Sequence, residues 1–243
     1  MRDALERGTL VLAFIIGMAA SATGASGAIL YSQPGSAAAC ASSCWTSSVG
    51  TNGAGFQTYD NFTLSQTSKI TGVQWQGFYF DFVDLANNPP VPPTTSWQFS
   101  FSANNAGLPG AVLQSQTLLV GSVTATFIGN STFGSFTVPV YHFSAALPTP
   151  FIASGGTELW FSPLAQQPSF NPIFSWSPAL VDVDPTATGT AQTVLPAFAP
   201  YFQPNDRNFE LDGFVGVPEP SSLLLLGAGL AGFGSMRRRK NKA

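Results

Sequence analysis

Apolar residues along this chain recur with a period of two far more often than with helical spacing. Trp97-Gln98-Phe99-Ser100-Phe101-Ser102 is the clearest run, and its alternation puts Trp97, Phe99 and Phe101 on one face of a strand. Residues 60–65 repeat the pattern with Phe62 and Leu64. Residues 73–82 are aromatic on both faces, as in a central strand covered on each side or set close to a binding surface. Further strands are expected over 118–127, 136–143, 159–162, 173–177 and 208–215, which makes eight, separated by Gly, Pro and Asn. No amphipathic pattern lasts longer than two helical turns. Count and spacing predict an all-β chain, an antiparallel β-sandwich of jelly-roll-like form. Asn87 to Pro93 reads as a stiff loop, because its prolines fix φ and remove ladder donors. Residues 184–206 hold four prolines and little pattern, and read as a long surface loop.

Composition narrows the partners. Between residues 29 and 217 the cations are Lys69 and Arg207, against nine acids, a net of −7. Such a surface cannot neutralise a run of phosphates, so nucleic acid is excluded as a partner. The same span carries 19 Phe, 5 Trp and 5 Tyr, too many for a disordered segment.

The two ends differ from this middle. Residues 1–28 have the parts of an export signal: Arg2 and Arg7, the eleven-residue apolar run Leu10 to Ala20, then small residues. Cleavage fits after Ala22 or after Ala28, and Ala28 is preferred here; the same run also fits an N-terminal anchor. At the other end Val217-Pro218-Glu219-Pro220-Ser221-Ser222 precedes the apolar run Leu223 to Met236, with Leu226, Gly229 and Gly232 inside it. Arg237, Arg238, Arg239 and Lys240 follow. The 14 apolar residues, as a transmembrane helix, would span about 21 Å against a hydrocarbon core of about 30 Å. That makes a poor permanent anchor, while the basic cluster makes a firm cytoplasmic stop.

This order of motif, Leu/Gly-rich helix and basic tail resembles the PEP-CTERM sorting signal of Gram-negative bacteria. The resemblance covers about 26 residues and rests on three features occurring together at the terminus. It implies cutting near Pro218, Glu219 and Pro220 by a membrane-embedded exosortase. It also implies transient residence in the inner membrane, then the cell surface or extracellular matrix of a bacterium that makes exopolysaccharide and biofilm. Residues 59–64, 102–110 and 209–213 resemble segments common in exported domains with this signal, and name no activity. The expected organisation is a signal peptide over 1–28, a β-sandwich over 29–216 and the sorting signal over 217–243.

Candidate chemistry is sparse. Cys40 and Cys44, four apart in an exported chain, suggest a disulfide closing a tight loop. A cysteine nucleophile would need a histidine, and His142 sits alone in a predicted strand. One histidine without a cysteine cluster does not make a zinc site. Asp182 and Asp184 share a face if extended, which would allow calcium with backbone carbonyls, but two solvated loop acids are the preferred reading. Glycoside hydrolysis needs two facing carboxylates; Asp81, Asp84, Asp182, Asp184 and Glu158 are available. Trp45, Tyr59, Trp176 and Tyr201 are the rings expected at the surface, where Trp176 and Tyr201 could stack on a sugar; core packing is the other reading of each. The chain therefore reads as a non-enzymatic surface or matrix β-sandwich without a cofactor. A carbohydrate-binding module is the alternative, and a glycoside hydrolase stands third.

Overall fold

A computed structural model describes residues 27–36, 44–81, 93–133, 136–180, 189–196, 200–203 and 205–216. They form a β-sandwich of two seven-stranded sheets. The first contains β1 (Ala28–Gln33), β2 (Trp45–Thr46), β5 (Ser68–Phe80), β8 (Val123–Phe133), β9 (Phe136–Ala153), β11 (Ile173–Trp176) and β14 (Phe209–Val215). The second contains β3 (Ser48–Gly50), β4 (Gly55–Thr63), β6 (Ser96–Asn105), β7 (Leu108–Leu119), β10 (Glu158–Gln167), β12 (Thr190–Leu195) and β13 (Tyr201–Gln203). Among the described residues no helix is long and apolar enough to cross a membrane. The C-terminal helix expected from the sequence lies outside them.

In the first sheet β5 is central. One edge pairs with β9, and the other is shared end to end by β14 and β11. β8, β1 and β2 lie outside β9, β14 and β11 respectively. In the second sheet β13, β12, β4, β10, β6 and β7 follow one another, and β3 wedges between β4 and β10 where these diverge. The β3–β10 ladder is parallel and every other is antiparallel.

The aromatic alternation supplies the core, as expected. Trp97, Phe99 and Phe101 from β6 and Phe62 from β4 point inward and are buried. Trp75 from β5 stacks on Phe143 at 5.4 Å and meets Trp97 edge-on at 4.8 Å, so the two sheets interlock through rings. Phe101 stacks on Phe151 of the opposite sheet at 4.3 Å. Each such ring gains about 2–3 kcal/mol on leaving water. The doubly aromatic stretch of β5 is also explained: Tyr79 faces the main core, while Phe78 and Phe80 join Val138, Val140 and Ile173 in a second cluster on the far face.

β1, β2, β3 and most of β7 form where no strand was expected, and two further segments differ from the expectation. Residues 118–127 are not one strand: a 3₁₀ turn over Val120–Ser122 carries the chain from β7 in one sheet to β8 in the other. The apolar run continues through this exposed crossing, with Leu119 73% accessible, so hydrophobicity alone hides the break. Residues 184–206 are not simply a loop, since β12 and β13 lie there. β12 buries Thr190, Ala191, Gln192 and Thr193, a small polar set held by hydrogen bonds that no apolar alternation would mark. The β6–β7 hairpin closes on Ala106 and Gly107, both with positive φ (54° and 82°), the geometry of a type I′ turn. Gln114 and Gln116 of β7 donate to the Thr149 carbonyl at 2.8 and 3.0 Å, clipping the edge of one sheet to β9 of the other. β1 runs beside β14, Ala28 opposite Gly213, so the chain enters and leaves the sandwich at one place.

Candidate functional site

The outer face of the first sheet is built from the residues that alternate with the core. Across five strands Thr124, Ser144, Gln74, Glu210 and Ser32 are successive partners, the polar counterpart of the buried row Phe143, Trp75 and Phe209 on the other face. This row borders a shallow trough of about 550 Å³, lined by Thr71, Gln74, Ser122, Thr124, Ser144 and Asp212 among others. Gln74 Nε2 donates to Asp212 Oδ2 at 2.9 Å, and Gln74 Oε1 lies 3.0 Å from His142 Nε2. A carboxylate only accepts, so the amide nitrogen faces Asp212 and the amide oxygen faces the histidine. His142 Nε2 therefore carries the hydrogen of this bond. Ser32 Oγ donates to Glu210 Oε1 at 2.8 Å along the same face. Hydroxyls and amides that both give and accept hydrogen bonds, beside two carboxylates, suit an uncharged polyhydroxylated ligand better than an anion. No aromatic ring lines the trough.

A second polar group lies inside the sandwich. Asp60, Asp206 and Arg207 are all but inaccessible, at 0%, 2% and 0%. The Arg207 backbone N–H donates to Asp60 Oδ2; its Nε donates to Thr190 Oγ1 at 3.0 Å and its Nη2 to the Asn205 carbonyl at 2.6 Å. Burial pushes the Asp60 carboxyl well above the usual carboxylate range, and the neighbouring Asp206 adds to this, while Arg207 draws it back. Burial lowers the Arg207 guanidinium to about 10, with both carboxylates opposing, so it stays charged at neutral pH. Two carboxylates do meet here, but the packing seals them from any substrate.

The residues singled out by sequence fall in several places. Trp176 is a correction: it is fully buried, with Nε1 donating to the Asn208 carbonyl at 2.6 Å, and it cannot stack on a sugar. β11 runs between β5 and β2, and it turns this ring onto Phe161 and Phe209. Tyr201 is 42% accessible on the edge strand β13, its hydroxyl donating to Gln192 Oε1 at 2.9 Å. Trp45 and Tyr59 are half-buried; burial pushes the Tyr59 hydroxyl up to about 12. Glu158 accepts from Asn61 Nδ2 at 2.8 Å, and Asp81 accepts from Asn171 Nδ2 at 2.6 Å. These two acids come from β10 and the end of β5 and are not brought together. Ala28 is the first residue of β1. Cys44 is disulfide-bonded. Cys40, Asp84, Asp182, Asp184 and the whole of 217–243, with Val217 to Pro220, Leu223, Leu226, Gly229, Gly232, Met236 and the basic tail, lie outside the described residues.

The trough and the buried acids escaped sequence reading for one reason. His142, Gln74 and Asp212 come from three strands, 68 and 138 residues apart in the bonded pairs. For the interior group a signal existed: Arg207 is one of only two cations in an acidic span.

Comparison with known families adds one finding. Residues 216–240 match the model of the PEP-CTERM protein-sorting motif. No curated protein matches the chain.

Proposed function

Given a chain that carries a PEP-CTERM protein-sorting motif over residues 216–240, and so is exported and handed to an exosortase, we propose that its β-sandwich is a non-enzymatic component of a Gram-negative cell surface or extracellular matrix. The observation that carries this reading is the motif itself. Supporting it, Asp60 and Asp206 are sealed within the sandwich, Glu158 and Asp81 are engaged by separate asparagines, and the two carboxylates of the outer face, Asp212 and Glu210, accept from Gln74 and Ser32.

Carbohydrate binding is the second reading, and the trough over β5, β8, β9 and β14 favours it over the rings expected from sequence. Its hydroxyls, the Gln74 amide and Asp212 match the donor and acceptor pattern of a sugar edge, although the hydrophobic platform that usually adds affinity is missing from its lining.

Affinity electrophoresis of the exported protein through gels containing the host exopolysaccharide separates the two readings. Retarded migration, abolished by Ser144→Trp at unchanged melting temperature, would establish binding at the trough. Migration indifferent to polysaccharide, with the protein recovered in the matrix fraction, supports the structural role. Recovery in the cytoplasm would contradict both.

A further inference from the structure

The strands on one flank of this acidic sandwich, β6 to β9, carry no Asp, Glu, Lys or Arg, and none occurs from residue 85 to residue 157. β8 is the outer strand of the first sheet on that side, and among the described residues its ladder is with β9 alone. Thr124, Ala125, Thr126 and Phe127 are all exposed, Phe127 to 55%. Edge strands in soluble proteins are ordinarily blunted by lysine, proline or inward charge, because their outward N–H and C=O groups will accept another strand. β8 carries none of these. Its bulge, at Ile128, leaves Val123 to Phe127 in regular register with Ala145 to Tyr141.

We propose that β8 pairs with β8 of a second copy of this chain, antiparallel about a two-fold axis at Ala125, joining two first sheets into one. Val123-Thr124-Ala125-Thr126-Phe127 is complementary to itself in that register. Thr124 lies opposite Thr126 of the second copy, Val123 opposite its Phe127, and alanine faces alanine on the axis. Hydroxyl pairs and aromatic–β-branched pairs are favourable cross-strand combinations, each worth about 0.2–1 kcal/mol. The contact is isologous, so one uncharged patch serves both partners and the assembly closes. Charge selects the same side. The span from 29 to 217 has a net of −7, and two copies repel in most orientations. At β8 the neutral sides meet and the acids, all outside residues 85–157, stay apart. The Phe127 ring, now resting on Tyr141 at 6.2 Å with its other side in water, gains a cover.

Ala125→Cys in the full exported chain tests the pairing. Antiparallel partners have Cα atoms about 4.5–5.5 Å apart, within the reach of a disulfide, and the native Cys44 is already bonded. Non-reducing gels should show a species of twice the monomer mass. At least tenfold less is expected from Leu113→Cys, equally exposed on β7, and from Ala125→Cys combined with Thr124→Lys. Sedimentation of the wild-type exported protein should give a dimer that dissociates on dilution. A monomer in both experiments, cross-linking as strong from Leu113→Cys, or a cross-linked product of a different mass would overturn the proposal.

Discussion

Arg207 is the residue on which the interior depends most. It is one of two cations in an acidic span, yet it lies fully buried beside Asp60 and Asp206. Burial away from water raises the Asp60 carboxyl, and the second carboxylate, Asp206, beside the same guanidinium adds to it. Stability from a raised carboxyl is fully present below its unfolded value of 3.8 and is lost as pH rises through the higher folded value. The melting temperature should therefore climb on mild acidification from pH 7 to pH 5. Asp60→Asn should flatten that slope and be tolerated at pH 7, since the amide oxygen still accepts from the Arg207 N–H. Arg207→Met strands both carboxylates and should cost about 3–5 kcal/mol. Thermal unfolding of the three proteins at both pH values checks the sign and the ranking.

At the scale of elements, the strands legible in the sequence bury rings: the expected 60–65, 73–82, 97–102, 136–143, 159–162, 173–177 and 208–215 fall on β4, β5, β6, β9, β10, β11 and β14. β12 was missed because its buried face is threonine, alanine and glutamine, which satisfy hydrogen bonds rather than a hydrophobic period. Trp176 was misplaced for the converse reason: a ring in a short, irregular stretch gives no sign of which way its strand will turn it. Glycine marks one further constraint. At Gly213, where β14 is squeezed between β1 and β5, an added Cβ would lie 2.0 Å from the Lys69 carbonyl oxygen. That neighbour is backbone and cannot move aside without breaking the ladder. Gly213→Ala should lower stability by more than about 2 kcal/mol, while Gly121→Ala, with nothing within 4 Å, should be near neutral. Urea unfolding midpoints of the two variants make the comparison.

For the whole molecule the arrangement of the ends matters most. β1 and β14 are neighbours, so the described sandwich begins and ends at one edge, and the chain on either side of it can be removed without touching the core. The sorting signal was the part of the function most legible in sequence, because its motif, apolar run and basic tail are contiguous. The trough was not, because it is assembled from distant strands. At 14 residues the apolar run falls short of the roughly 20 that a spanning helix needs.

Intact-mass spectrometry of the protein recovered outside the cells of its host tests the central claim most directly. A chain lacking everything from Leu223 onward is expected, with full-length chain retained in the membrane when Pro218, Glu219 and Pro220 are all replaced by alanine. Wild-type protein ending at Ala243 and held in the inner membrane of a host with an active exosortase would contradict it.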